Sequence, residues 1–73
     1  MEKNYVIQKP SNGSMFVRLD ENDNYMPMFC LHPNISDSIN EAFKTDYENA
    51  SIISILLQGA GVYAIPMNYH NLV

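Results

Sequence analysis

The first twenty residues contain two short apolar runs that predict a β-hairpin. Residues 5–9 and 15–19 are rich in β-branched and aromatic side chains, and a turn-forming stretch with Asn12 and Gly13 at its centre separates them. An Asn-Gly pair tolerates the positive φ angles that tight hairpin turns require. We therefore expect the two runs to pair as antiparallel neighbours in a sheet.

A third apolar run follows a polar break at residues 20–24 and predicts a third strand over residues 25–33. Successive side chains of a strand point to opposite faces of its sheet. One face of this strand would carry Met26, Met28, Cys30 and His32. Pro27 lacks the N–H group for a ladder hydrogen bond, which predicts a sheet edge or a bulge at this point.

After residue 33 the period of the pattern changes to that of a helix. The apolar positions are Ile39, Ala42, Phe43, Tyr47 and Ala50, and charged side chains occupy the opposite side. Ser38 followed three residues later by Glu41 fits a capping box, and Ser36 is a rival N-cap. The pattern predicts one amphipathic helix over residues 37–48.

No Asp, Glu, Lys or Arg occurs after Glu48. The uncharged segment holds two apolar runs, residues 51–58 and 62–69, on either side of a Gly-Ala-Gly break. We favour a second β-hairpin that is buried on both faces. A helix that ends at Gly59 is the alternative for the first run, because its isoleucine and leucine residues also fit helical spacing.

Together these elements predict an α+β fold with a small antiparallel sheet in the order β-β-β-α-β-β. The single amphipathic helix would pack on one face of the sheet. A chain of 73 residues has room for one domain, so residues 1–73 are expected to fold as a unit. We expect residues 67–73 to form a flexible tail.

The composition predicts an interaction surface. Hydrophobic residues make up 47% of the chain and charged residues only 16%, against about 25% in typical proteins. So few charges cannot cover the surface of a small domain, and large exposed apolar areas usually mark interfaces. We therefore expect another protein as partner, and self-association into a homodimer.

The charge of the chain argues against direct nucleic-acid binding. The net charge is −4, and the four basic residues are scattered along the sequence. Proteins that follow the phosphate backbone are normally basic, with clustered Lys and Arg side chains.

The location is expected to be cytoplasmic. One cysteine allows no intrachain disulfide, which favours a reducing compartment. The first residues lack the apolar run of a signal peptide. Residues 50–67 approach the length of a membrane span, but Gln58 and the glycine break make a transmembrane helix an unfavoured alternative.

Soft donor atoms make the third strand a candidate metal site. Thioether, thiolate and imidazole ligands suit copper, and the last two also suit zinc. Donors two residues apart on a strand lie about 6.5–7 Å apart at Cα, so four in a row cannot share one ion. We favour packing over metal binding, because Met fills irregular gaps and free Cys is often buried. No cofactor is therefore expected, and the alternative is a copper or zinc site at Cys30, His32 and His70.

No catalytic or calcium-binding motif is complete. Cys30 and His32 could pair as nucleophile and base, but no orienting third group or oxyanion hole is evident from the pattern. The polar break starting at Asp20 begins like a calcium loop, yet Tyr25 stands where that loop needs glycine. We therefore expect no enzymatic activity.

The sequence thus predicts a small non-enzymatic protein-binding module that acts as an inhibitor or adaptor. Accessory proteins of bacteriophages are often of this kind, an association that rests on size alone. Residues enriched in interfaces, rimmed by an acidic helix face, form the predicted contact surface. Its members are Met26, Met28, Phe29, Tyr63, Asp37, Glu41 and Glu48.

Overall fold

The described residues form four strands and two helices in the order β-β-β-α-α-β. The computed structural model describes residues 2–73. The strands are β1 (Tyr5–Gln8), β2 (Met15–Asp20), β3 (Met26–Cys30) and β4 (Ile65–Asn68). The helices are α1 (Ile35–Glu41) and α2 (Tyr47–Gly59), and a 3-10 helix (Tyr69–Asn71) follows β4. The predicted α+β class is confirmed.

All four strands belong to one antiparallel sheet in the order β3-β2-β1-β4. Pro27 lies on β3 and Pro66 on β4, the two edge strands. Proline is tolerated at such edges because its missing N–H group does not interrupt a ladder between neighbours. The predicted edge position of Pro27 is confirmed.

The β1–β2 hairpin is also confirmed, with a longer turn than an Asn-Gly pair alone would make. The N–H of Lys9 donates to the carbonyl of Ser14 at 2.8 Å and closes a four-residue loop. Gly13 has φ +83°, and its N–H donates to the Lys9 carbonyl. Asn12 accepts from the Ser14 N–H through Oδ1 at 2.9 Å. Gly13 supplies the positive φ, while the Asn12 side chain replaces a backbone acceptor.

The sheet has a core on each face. Neighbouring residues Val6 and Ile7 are both fully buried, and their side chains point in opposite directions. The α1-side core contains Val6, Met15, Cys30, Ile39 and Ala42. The α2-side core contains Ile7, Phe16, Ala50, Leu57 and Ala64. The two helices therefore cover opposite faces of the sheet.

The helix predicted over residues 37–48 is wrong in its bounds. Its first part is α1, which begins after the N-cap Asn34, whose Oδ1 accepts from the Ser36 N–H at 2.9 Å. Neither predicted N-cap, Ser36 or Ser38, has this role. An Asn side chain reaches the free N–H groups of the first turn as well as Ser does, so the spacing alone did not decide between them.

The break between the helices arises because the backbone at residues 43–45 bonds to the sheet. The Phe43 N–H donates to the Phe16 carbonyl at 2.9 Å. Thr45 and Tyr5 exchange two backbone hydrogen bonds of 2.8 and 3.0 Å. A continuous helix would need these groups for its own ladder. The segment instead contacts β1 and β2 as the chain passes from the α1 side to the α2 side.

The strand favoured over residues 51–58 is a further correction, because this run lies in α2. The helix begins at the N-cap Asp46, whose Oδ1 accepts from the Asn49 N–H at 2.8 Å. At the other end the Val62 N–H bonds the Leu57 carbonyl, and the Gly61 N–H bonds that of Gln58. This pair of bonds, with Gly61 at φ +86°, is a Schellman motif. The second hairpin is therefore absent from the described chain, and β4 pairs with β1.

Two polar side chains of α2 attach it to the start of β4. The buried Ser54 hydroxyl donates to the Ala64 carbonyl. Gln58 Nε2 donates to the same carbonyl and to Ser54 Oγ, both at 3.1 Å. A membrane-spanning helix could not easily supply hydrogen-bond partners for these two polar side chains. Here both find partners within the fold. Among residues 2–73, no helix combines the length and apolar character that crossing a bilayer requires.

Residues 67–73, where we expected a flexible tail, include the end of β4 and the 3-10 helix. The Tyr69 N–H donates to the Asn4 carbonyl at 3.0 Å. Tyr69 and Leu72 are half-buried and pack against the α1-side core. Apolar contacts and a backbone bond therefore hold much of this segment against the domain.

Candidate functional site

A pocket of about 320 Å³ lies between α2 and the β2–β3 hairpin. Its lining side chains are all apolar or aromatic, and we call it the apolar groove. They are Phe16, Leu19, Tyr25, Pro27, Ile53, Leu56, Leu57 and Ala60. Apolar concave sites of this volume are typical of places where a ligand or a partner side chain binds.

A β-bulge in β2 places Leu19 in the groove. Phe16 pairs with Phe29 on β3 and Leu19 pairs with Pro27, with the irregularity between Phe16 and Arg18. Phe16 and Leu19 are three positions apart, so strict alternation would put their side chains on opposite faces. The extra residue of the bulge restores them to the same face. Sequence patterning missed Leu19 for this reason.

Tyr25 lines the end of the groove from a strained backbone position. Asn24 and Tyr25 have φ angles of +52° and +57°, and the Met26 N–H donates to the Asp23 carbonyl at 2.9 Å. This is the geometry of a type I′ turn, in which the second central position normally holds glycine. A bulky side chain in the left-handed region costs free energy and often marks a functional position.

Replacing Tyr25 with Gly is expected to raise the free energy of unfolding by about 1 kcal/mol, because glycine adopts a positive φ without steric cost. Little burial is lost, since the tyrosine is 64% exposed. Urea denaturation measures the effect. Asn24→Gly is the matched control and should gain less, because Asn tolerates this region. A loss of stability in Tyr25→Gly would show that its side chain stabilises the turn.

Beside the groove, the outer side of α2 after its first turn exposes three large apolar side chains. Its buried residues are Ala50, Ser54 and Leu57. On the opposite side stand Ile52, Ile55 and Leu56, which are 50%, 67% and 68% exposed and which we call the exposed stripe. A helix at a water-facing surface normally presents polar residues there, and a helix that is apolar all round is normally buried.

The predicted contact residues do not form one surface. Phe29 lies on the α2 side, where its ring contacts Phe16 at a centroid distance of 5.9 Å and Lys9 Nζ stands 4.3 Å above it. Met26 and Met28 point to the α1 side, because alternate residues of β3 face opposite ways. The structure therefore places Phe29 on the face of the sheet opposite Met26 and Met28.

The predicted acidic helix face is also divided. Asp37 and Glu41 belong to α1, whereas Glu48 belongs to α2 on the other side of the sheet. Glu41 in addition bonds His32, although its side chain remains 50% exposed. Tyr63 is exposed in the connection between α2 and β4. The break at residues 43–45 thus separates side chains that a single helix would have aligned.

A second cluster lies where β3 ends and α1 ends. Cys30, His32 and Glu41 each contribute one ligand atom, and these three atoms lie within 4.8 Å of one another. His32 Nε2 and Glu41 Oε1 are 2.6 Å apart. Ser38 holds the cluster together: its Oγ accepts from the His32 N–H at 2.9 Å, and its carbonyl accepts from Cys30 Sγ at 3.5 Å.

The environment of Cys30 favours the protonated form of its thiol. Burial, followed by the negative charge of Glu41, raises the pKa of the Cys30 thiol above its usual value. A nucleophilic cysteine needs a lowered pKa instead. The direction of this shift is thus opposite to the one that activates a nucleophilic thiol.

The ligand set Cys30, His32 and His70 is not assembled. His70 belongs to the 3-10 helix after β4, and its Nε2 lies 3.2 Å from Asn4 Oδ1. Glu41 stands in the cluster instead, and sequence spacing missed it because helix α1 brings it back to β3. Cys30 is the last residue of β3 and His32 follows it in the connection to α1, where their ligand atoms lie within 4.8 Å of each other.

Comparison with protein-family models, with curated proteins and with solved structures finds no match for this chain.

The groove lies on the α2 side of the sheet, whereas Cys30 belongs to the α1-side core. The chain therefore presents two separate sites from which a function can be inferred.

Proposed function

We propose that this chain is a non-enzymatic protein-binding module, an inhibitor or adaptor, that acts inside the cell as a homodimer. The exposed stripe of α2, continuous with the apolar groove through Leu56, carries the proposal. A contiguous apolar surface on a small domain is typical of an interface. The unpaired thiol of Cys30 suits a reducing compartment.

A second copy of the chain is the occupant that this surface suits best. In a twofold dimer the same patch faces itself, so a charge near its centre would meet a like charge. The groove lining and the exposed stripe contain no Asp, Glu, Lys or Arg. The protruding isoleucine and leucine side chains of the exposed stripe also lie next to the apolar groove. Each copy therefore supplies side chains that fit the groove of the other copy.

The α1 side of the sheet would then remain available to another protein. Met26 is 54% exposed and Met28 is half-buried on β3, which is an edge strand. Methionine adapts to differently shaped partners, and an edge strand can pair with an added strand. Asp37 on the neighbouring helix adds negative charge, which favours a basic partner.

Two features support a non-enzymatic role. Of the side chains that line the groove, Tyr25 alone can ionise, so the pocket offers no acid–base pair. The one thiol lies on the other side of the sheet, with a raised pKa. Binding through apolar contact is the chemistry that the groove supports best.

Leu56→Glu tests the proposal. Leu56 is 68% exposed, so the domain should fold normally, whereas a buried uncompensated carboxylate should weaken dimerisation at least about a hundredfold. Sedimentation velocity and native mass spectrometry should give twice the 8.3 kDa chain mass for the wild type and one chain mass for the variant.

Leu31→Glu is the matched control. Leu31 is 58% exposed and follows the last residue of β3. Tyr25, which lines the groove, precedes the first residue of that strand, so Leu31 lies away from the groove. This variant should dimerise like the wild type. A wild type that stays monomeric at about 100 μM would exclude a micromolar homodimer. A dimer that Leu56→Glu leaves intact would place the interface elsewhere.

A further inference from the structure

We infer that Cys30, His32 and Glu41 form a binding site for one zinc-class divalent cation at the junction of β3 and α1. The three ligand atoms lie within 4.8 Å of one another although the residues are up to 11 positions apart in sequence. They belong to a fixed strand end and a packed helix, so the fold itself brings them together. The inference does not depend on the proposed dimer, whose interface lies on the other side of the sheet.

The distances fit a tetrahedral site after small side-chain rotations. Zinc bonds of about 2.0–2.3 Å place neighbouring ligand atoms about 3.3–3.8 Å apart. The His32–Glu41 contact of 2.6 Å must lengthen, and the largest separation in the cluster must shorten. The side chains of His32 and Glu41 are 40% and 50% exposed, which leaves them room to rotate. Cys30 is buried and supplies the fixed ligand.

The chemistry of the donors favours zinc over copper. Thiolate, imidazole and carboxylate are the ligand types of zinc sites, whereas Cu(I) prefers sulfur donors and gains little from a carboxylate. A thiolate and a carboxylate together neutralise the two positive charges of the cation. This balance matters because Cys30 is buried, where an uncompensated charge is costly. Binding transfers the thiol proton to solvent as Sγ bonds the metal.

Ser38 fixes the backbone beside the three ligands. It is 1% exposed on α1, and its hydroxyl accepts from the His32 N–H. Its carbonyl accepts from the Cys30 thiol, and this bond is lost when metal binding displaces the thiol proton. The Ser38 hydroxyl thus helps to hold His32 in place before the ion binds. Three protein ligands leave a fourth position, which the exposure of Glu41 opens to a water molecule.

The test is titration of the chelator-treated full chain with Zn²⁺ against a chromophoric competitor, and with Co²⁺ as a spectroscopic substitute. We expect one equivalent bound with a dissociation constant of about 1 μM or tighter. Cobalt should produce a thiolate charge-transfer band and the strong visible absorption of a tetrahedral site. Cys30→Ser should abolish the charge-transfer band.

His32→Ala and Glu41→Gln should each weaken zinc binding at least about tenfold, since loss of a ligand costs no less than loss of its supporting contact. Both residues are partly exposed, so these variants should fold even if Cys30→Ser does not. His70→Ala is the matched control and should bind zinc normally, because His70 contacts Asn4 instead. Binding that His70→Ala weakens equally, or that lacks one-to-one stoichiometry, would overturn the inference. Leu56→Glu should retain zinc, which separates this result from that of the dimer test.

Discussion

Ile7→Ala is expected to lower the free energy of unfolding by about 2–5 kcal/mol. Ile7 is fully buried in the α2-side core, where β1, α2 and the approach to β4 meet. The substitution removes apolar contacts and leaves a cavity that the packed neighbours fill only in part. A chain of 73 residues has a total stability of roughly 4–11 kcal/mol, so the loss would unfold a large fraction of the molecules near physiological temperature.

Urea denaturation followed by circular dichroism measures this loss. Ile55→Ala is the matched control: the same atoms are removed from a residue that is 67% exposed, and the change should stay within about 0.5 kcal/mol. Both variants are best made in the Leu56→Glu background, so that association does not add to stability. Equal losses for the two isoleucines would show that the exposed stripe is buried in the folded monomer.

Phe16→Ala is expected to cost about 3–5 kcal/mol. Phe16 is 6% exposed and lies at the floor of the apolar groove, so it serves both the core and the candidate interface. Its ring makes edge-to-face contacts with Phe29 and Phe43 at centroid distances of 5.9 and 6.2 Å. Such pairs contribute about 0.5–1.5 kcal/mol beyond burial.

A double-mutant cycle with Phe43→Ala isolates one of these contacts. Phe43 is 42% exposed, so its own truncation should cost clearly less than that of Phe16. The coupling energy between the two substitutions, read from urea denaturation, should be about 0.5–1.5 kcal/mol. Strict additivity would contradict a ring contact between Phe16 and Phe43.

The metal-ligating cluster shows how a sequence can indicate the right residues without the complete set. Cys30 and His32 lie two residues apart, so spacing alone named both. Glu41 could not be added, because its position depends on where α1 ends and how the helix packs on β3. His70 was a reasonable donor by residue type, yet the final segment carries it to Asn4.

The groove shows the opposite case, in which patterning did not identify the lining side chains. Alternation predicts which residues share a face, and a bulge changes that relation for every residue beyond it. Leu19 therefore joins Phe16 although they are three positions apart. Alternation of apolar and polar residues in the sequence does not mark the bulge, which is visible only in the pairing of β2 with β3.

Residues 51–58 illustrate the ambiguity of a short apolar run. Isoleucines favour a strand, and the absence of charge suggested burial on both faces. The capping residues at the two ends, Asp46 and Gly61, are the local signals for a helix, and the structure uses both. Weighting caps above β propensity would have given α2 from the sequence.

The amino-acid sequence by itself determined the elements whose signals are local: the Gly13 hairpin, the alternating third strand, the edge position of Pro27 and the α+β class. Tertiary structure decided where the helix after residue 33 breaks, because backbone groups at 43–45 bond to β1 and β2 rather than to each other. It also decided which faces the side chains share, since the bulge resets alternation and the broken helix separates Glu41 from Glu48. The helix break follows from hydrogen bonds between segments distant in sequence, which no local pattern encodes.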